Sequence, residues 1–192
     1  MSVSIVAGLG NPGRAYAKTR HNAGFAVIDA FAARHDLAWR KQSRFSAQIA
    51  RWERAPGVTW LLAKPTTFMN DSGRALRALA DFHRVRGSAL IVIYDDLAIE
   101  LGRVKVSQRG SAGGHNGVAS LLEHLGGGFA RYRIGIGPKH PPEMDLKDFV
   151  LGRFTPDEQT IFNQNLSTYA DGLTLLIDRG PAEAMNQLNR RN

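Results

Sequence analysis

The sequence predicts an α/β fold, a single domain over residues 1–192 with a twisted mixed β-sheet flanked by helices on both faces. Short apolar runs of strand length alternate with segments whose apolar residues recur at helical spacing, the pattern of strand–helix–strand crossovers. One early pair of runs, 45–54 and 58–63, is separated instead by Ala55-Pro56-Gly57, the turn signal of an antiparallel hairpin, so the sheet is mixed. A chain of 192 residues has the length of one domain and enough interior for a core.

Residues 2–7 are apolar and end in glycine, as a buried strand does. A polar loop follows to Arg20. Between His21 and His35 the residues Phe25, Ile28, Phe31 and Ala32 mark an amphipathic helix with His21 at or just before its first turn. After the hairpin, Asn70, Asp71 and Ser72 are each able to cap a helix whose apolar face is Leu76, Leu79, Ala80 and Phe82. Residues 89–93 form an apolar β-branched strand leading straight into Asp95. A short strand at 103–107, a glycine loop at 110–114 and a helix bearing Val118, Leu121 and Leu122 come next. Residues 131–136 alternate as a strand. The stretch 138–144, with Pro138, Pro141 and Pro142, is a loop before a short helix-like segment ending at Gly152, and 156–178 and 181–189 are closing helices. No internal repeat or low-complexity tract interrupts this order.

The absence of cysteine excludes disulfides, thiolate nucleophiles and cysteine-ligated metal centres, so a nucleophile must be oxygen-based or water. The N-terminus lacks a basic leader, and no stretch approaches the ~20 apolar residues of a membrane span. A soluble, cytoplasmic protein without a membrane partner is expected. Lys plus Arg number 25 against 17 Asp plus Glu, which favours polyanionic partners, nucleic acid before anionic membrane. The excess is dispersed, so an ordinary solvated basic surface accounts for it equally well.

Polar residues concentrate in loops directly after strand-like runs: Gly10-Asn11-Pro12-Gly13, Thr67-Phe68-Met69-Asn70, Tyr94-Asp95-Asp96 and Gly113-Gly114-His115-Asn116. In an open α/β sheet the carboxyl ends of parallel strands share one rim, where such loops converge on a ligand. The first loop fits the dinucleotide fingerprint G-x-G-x-x-G, but Pro12 sits inside it, the helix starts only near residue 21, and the acidic residue expected further on is missing. Around Ser111 the chain approaches a nucleophile elbow, yet Arg109 stands where the first glycine belongs. The glycines there suit close backbone approach to a ligand, with the following helix N-terminus offering N–H donors.

Of the six histidines, His21 and His115 stand out because both fall on this rim, near carboxamides and Asp95. A neutral imidazole there could take a proton from water if a carboxylate held its other nitrogen, and Asp95 is the natural orienter, with Asp96 its exposed neighbour. Asn11, Asn70 and Asn116 each offer a donor and an acceptor without charge, suited to a peptide group, a ribose hydroxyl or a developing oxyanion.

Together these segments resemble the bacterial peptidyl-tRNA hydrolase family. The resemblance runs through Gly8-Leu9-Gly10-Asn11-Pro12-Gly13, Tyr16, Thr19-Arg20-His21-Asn22-Ala23-Gly24, Lys64-Pro65-Thr66-Thr67-Phe68-Met69-Asn70, Asp95-Asp96-Leu97, Gly113-Gly114-His115-Asn116-Gly117 and Arg133-Ile134-Gly135-Ile136-Gly137, in order and over nearly the whole chain. It implies a cofactor-free, metal-independent monomer that hydrolyses the ester between a peptide and the 3′-terminal ribose of tRNA. His21 would be the general base, Asp95 its orienter and His115 a supporting residue of the loop at Gly113. Asn11, Asn70 and Asn116 would position peptide, terminal nucleotide and water, with Phe68 and Met69 lining the cleft and Tyr16 at its edge. Lys105 and Arg133 would clamp a tRNA phosphate. Ser107 and Arg109 depart from the pattern expected for that clamp, and Arg109 is a candidate substitute. A non-catalytic RNA-binding protein of the same fold is the alternative, which the intact His21–Asp95 pair disfavours.

Overall fold

Residues 2–190 are described by the computed structural model. Its elements run β1 (Ser2–Gly8), α1 (Ala23–Arg34), β2 (Arg40–Gln42), β3 (Ala47–Ala55), β4 (Val58–Pro65), α2 (Ser72–His83), β5 (Leu90–Glu100), β6 (Val104–Ser107), α3 (Asn116–Leu125), β7 (Ala130–Gly137), α4 (Leu146–Leu151) and α5 (Pro156–Leu188). The strands form one seven-stranded sheet in the order β2-β3-β4-β1-β5-β7-β6. Its centre is parallel, β1 pairing with both β4 and β5, and β5 with β7. The edge strands β2 and β3 on one side and β6 on the other pair antiparallel, which makes the sheet mixed.

Successive residues of a strand face opposite sides, and the core divides accordingly. Val6 of β1 joins Val27, Phe31 and Leu173 under α1 and α5, whereas Ile5 and Ala7 join Leu76, Leu79 and Leu121 under α2 and α3. Both faces are thereby covered, as a parallel sheet requires. Helices α2 and α3 meet at Gly73, where an added Cβ would lie 2.1 Å from the Ser120 carbonyl oxygen. Helix α5 is broken at Gly180, whose φ of 78° is non-helical, ahead of Pro181, and so corresponds to the two closing helices expected. Thr155 and Glu158 start it with a reciprocal capping box.

Some local expectations fail. Phe82 is 51% exposed rather than turned into the core, because it lies near the end of α2 under the guanidinium of Arg44, 4.1 Å above its ring. Asp71 occupies the N-cap position of α2, yet no side chain there caps the helix; a 3₁₀ turn at Met69–Asp71 leads into it instead. Strand β5 continues through Asp95 and Asp96 to Glu100, so the aspartates belong to the strand and not to a loop after it. No helix among the described residues is long and apolar enough to cross a membrane.

Candidate active site

The parallel strands β1, β4 and β5 deliver their following segments to one end of the sheet, and a cleft of about 1360 Å³ opens there. Asn11 enters it after β1, and Phe68, Met69 and Asn70 after β4. Asp95 enters on β5, and Gly113, His115 and Asn116 from the loop before α3. His21 and Arg133 complete the walls. Of the residues the sequence singles out, Tyr16 and Lys105 do not line this cleft. Tyr16 packs edge-on against the exposed Phe68, with ring centroids 6.3 Å apart, and so reaches the rim through it. Lys105 is the direct cross-strand partner of Arg133, on the same face of the sheet.

His21 is held by its neighbours in sequence. It sits in a 3₁₀ turn (Arg20–Asn22) ahead of α1, and Gly24 presses that segment onto the sheet: a Cβ there would lie 2.4 Å from the Ile93 carbonyl oxygen and 2.6 Å from that of Leu9. Only glycine permits so close an approach. His21 Nδ1 then meets both oxygens of Asp95, at 2.9 and 3.0 Å. His115 Nε2 meets the same Oδ1 at 3.0 Å, so one carboxylate serves two imidazoles.

The tautomers follow from the partners. His115 Nδ1 accepts from the backbone N–H groups of Gly117 and Val118, at 3.1 and 3.3 Å, capping α3. A nitrogen accepting two N–H donors carries no proton, so the neutral ring bears its proton on Nε2 and donates it to Asp95. His21 in turn donates from Nδ1, which leaves its Nε2 lone pair as the only unengaged ring acceptor on this cleft wall among the described residues. Asp95 is 3% exposed. Its burial works to raise the carboxyl pKa, but the hydrogen bonds it accepts from His115 and His21 outweigh burial and hold it well below the ordinary carboxylate range. The donor atoms of His21, Asp95 and His115 lie within 4.8 Å of one another, close enough for a metal ion. Ligation through His115 Nε2 would require stripping its proton while Nδ1 still caps the helix, so this donor set suits a hydrogen-bonded relay better than a metal.

The asparagines divide into two kinds. Asn11 is tied down: its Oδ1 accepts from the Met69 backbone N–H at 2.8 Å, joining the β1 and β4 segments. Asn22, part of the recognised motif but assigned no role from sequence, fixes Asn11 further by accepting from its N–H at 2.8 Å and donating to its carbonyl at 2.9 Å. Asn70 and Asn116 are exposed on the cleft, with carboxamides free of hydrogen bonds among the described residues.

The basic side of the cleft is also organised internally. Arg131 is buried and donates to the carbonyls of Ser111 and Gly110, at 2.7 and 2.5 Å, pinning the glycine loop to β7. Arg133 donates from Nε to Asp96 Oδ2 at 2.8 Å. Asp96 is therefore half-buried and paired, not the exposed neighbour that the sequence suggests, and its Oδ1 also accepts from the Ala98 N–H. Ser107 and Arg109, the departures from the expected clamp, both line the cleft. Ser111 meets no imidazole among the described hydrogen bonds, which removes the basis for a serine nucleophile there.

A family model described as peptidyl-tRNA hydrolase matches residues 5–192. The chain belongs to the peptidyl-tRNA hydrolase family. It is 44% identical to the peptidyl-tRNA hydrolase of Gloeobacter violaceus, with all of this chain and 96% of that one aligned. It is 42% identical to the one from Lactiplantibacillus plantarum, over 97% of this chain and 100% of the other. Among solved structures, the peptidyl-tRNA hydrolase of Acinetobacter baumannii superposes with a TM-score of 0.90 at 32% identity, covering 99% of this chain and 96% of that one. The family thus extends over the whole fold, including the segments that carry His21, Asp95 and His115.

Proposed function

We propose that this chain hydrolyses peptidyl-tRNA, cleaving the ester between the peptide and the 3′-terminal ribose, with His21 as general base. The observation that carries the assignment is the His21–Asp95 contact, which commits Nδ1 and leaves Nε2 as a lone-pair acceptor on the cleft. Nε2 takes a proton from water as the water oxygen attacks the ester carbonyl carbon. The imidazolium that forms is stabilised by the Asp95 carboxylate. The tetrahedral intermediate expels the ribose oxygen, which receives the proton from His21, giving a free peptide carboxyl group and a tRNA 3′-hydroxyl. The unengaged carboxamides of Asn70 and Asn116 offer N–H donors to the developing oxyanion and to the terminal nucleotide, and Asn11 holds the backbone between them. Phe68, backed by Tyr16, gives an apolar face for a base or peptide side chain. Arg133 and Lys105, adjacent across β6 and β7, suit a phosphate of the acceptor stem, with Arg109 at the same wall.

The chain is read as a cytoplasmic monomer that needs no cofactor or protein partner. The deciding experiment is release of peptide from N-acetyl-aminoacyl-tRNA with free aminoacyl-tRNA spared. Binding of the tRNA without release would overturn the enzymatic reading in favour of a binding protein. Sedimentation of the purified chain as a dimer would overturn the monomer.

A further inference from the structure

Asp95 has two oxygens and two imidazoles to satisfy. His21 Nδ1 spans both oxygens, and His115 Nε2 takes a share of Oδ1 at 3.0 Å, while the two rings lie with centroids 4.8 Å apart. His115 is not free to turn away: Nδ1 is held by Gly117 and Val118, Tyr94 packs edge-on against the ring at 5.0 Å, and Arg131 pins the loop that precedes it. Its donated proton is thus a fixed feature of the carboxylate's surroundings.

We propose that His115 is a positioning residue that tunes His21, drawing off part of the Asp95 charge so that the shared carboxylate orients His21 without holding a proton on it too strongly. This rests on His21 being the base. A buried carboxylate paired with His21 alone would hold the imidazolium strongly and leave the base protonated and idle over a wider pH range. Sharing Oδ1 with a second, permanently neutral donor weakens that hold while keeping His21 oriented. His115 never carries the transferred proton, since charging it would require protonating Nδ1 and releasing the α3 cap.

The other charged groups on the cleft are Asp96 on β5, Arg131 and Arg133 on β7, Arg109 on the glycine loop, and Lys139, Asp145 and Lys147 on the segment over the cleft. Lys147 and Asp148 belong to α4, which packs on the turn of His21. Arg20 beside His21 is paired with Glu158 at 2.6 Å. Among the described residues none of these groups forms an ion pair with Asp95, His21 or His115.

The test is His115→Asn. Asparagine is a strong N-cap, so the α3 start is preserved, but its short side chain does not reach Asp95. The expected result is an acid limb of kcat/KM displaced upward by about half a pH unit or more, so that the rate below the limb falls about threefold or more while the alkaline plateau is retained. In parallel, imidazole nitrogen NMR of the unaltered protein is expected to show His115 as the Nε2–H tautomer throughout the titration of His21, and the His21 titration in His115→Asn to move upward. A loss equal at every pH, an unmoved His21 titration, or a proton on His115 Nδ1 in the unaltered protein overturns the proposal. The tautomer measurement needs no variant, so it decides even if the substituted chain folds poorly. An upward shift of the His21 titration without a matching shift of the activity limb would uphold the tuning and refute His21 as the base.

Discussion

Asp95→Asn is the most demanding test of the site, because the structure determines which way the new carboxamide must turn. The carboxylate accepts from His21 at 2.9 and 3.0 Å and from His115 at 3.0 Å, and a carboxamide has one oxygen to replace two. His115 has to donate, since Gly117 and Val118 hold its other nitrogen as an acceptor. Facing the new NH₂ toward His115 would set donor against donor in a buried site, at a cost of about 1–3 kcal/mol. The oxygen therefore turns to His115 and the NH₂ to His21, where it needs a lone pair on Nδ1 and drives the proton to Nε2. The base then points its N–H at the water. A cost of about 1–3 kcal/mol keeps the productive orientation at roughly one part in five to one in 150, and what remains lacks the charge that stabilises the imidazolium. Together these predict a fall in kcat of about 10²–10⁴, the range of a general base's contribution. With its carboxylate gone, His21 becomes less basic, so the acid limb of any residual activity moves to lower pH, opposite to the shift expected for His115→Asn. The carboxyl of Asp95 is depressed in the fold, so its stabilising effect is present above the ordinary carboxylate range and lost as pH falls through the lower folded value. The asparagine variant should show a shallower loss of stability in acid. Single-turnover hydrolysis across pH 5.5–9, with melting curves on the same samples, measures all three. A folded variant within about threefold of the original rate, with its limb in place, would refute the tautomer reasoning.

Further outcomes are expected elsewhere. His21→Ala should abolish turnover by about 10²–10⁴ while tRNA binding survives, and near-normal single-turnover hydrolysis would reassign the base. Lys105→Ala or Arg133→Ala should each lower the salt slope of tRNA binding by about one and raise KM for whole peptidyl-tRNA, yet spare a short peptidyl-oligonucleotide lacking that phosphate. Equal losses on both substrates would sink the clamp, and a comparable loss in Arg109→Ala would add that residue to it. Three prolines ahead of a short segment ending at Gly152 make 138–152 a candidate mobile cover over the cleft, but Phe149 of α4 is fully buried and Arg20 bonds the carbonyls of Phe149 and Arg153, at 3.3 and 2.8 Å. Hydrogen exchange quenched by a peptidyl-nucleoside analogue is therefore expected within 138–145, with 146–152 protected in both states; strong protection of 138–145 without ligand rules out a lid. Gly73→Ala, which forces a Cβ against the Ser120 carbonyl, should cost about 1–3 kcal/mol and several degrees of melting temperature. An unchanged melting curve would mean that the two helices can separate freely.

The order of strands and helices was readable because the burial pattern is simple: parallel strands covered on both sides are continuously apolar, and amphipathic helices show their period. Residues whose role depends on a partner far along the chain were not. Asn22 reads as one polar residue in a helix start, yet it anchors Asn11 through two hydrogen bonds. Arg20 reads as a surface charge and is a buried clamp between the His21 turn and α4. The strand β2, three exposed residues of Arg40–Gln42, carries no apolar pattern at all. The pairing of Asp96 with Arg133 spans 37 residues, and no spacing rule announces it.

That pairing bears on how one cleft can do two jobs. Phosphate recognition asks for free positive charge, whereas a general base is depressed by it, since a nearby cation disfavours the imidazolium. Asp95 and Asp96 are consecutive on β5, so their side chains leave opposite faces of the strand. One meets the two histidines, and the other takes Arg133 at 2.8 Å through Nε. The pairing leaves the Nη groups of Arg133 for an anion while offsetting part of its charge. Replacing Asp96 with asparagine should therefore affect both functions in opposite senses: tighter, more salt-sensitive tRNA binding, and an acid limb displaced downward as the uncompensated guanidinium makes His21 less basic. Measuring the two on the same variant separates this arrangement from a surface ion pair of no consequence, for which neither quantity would change.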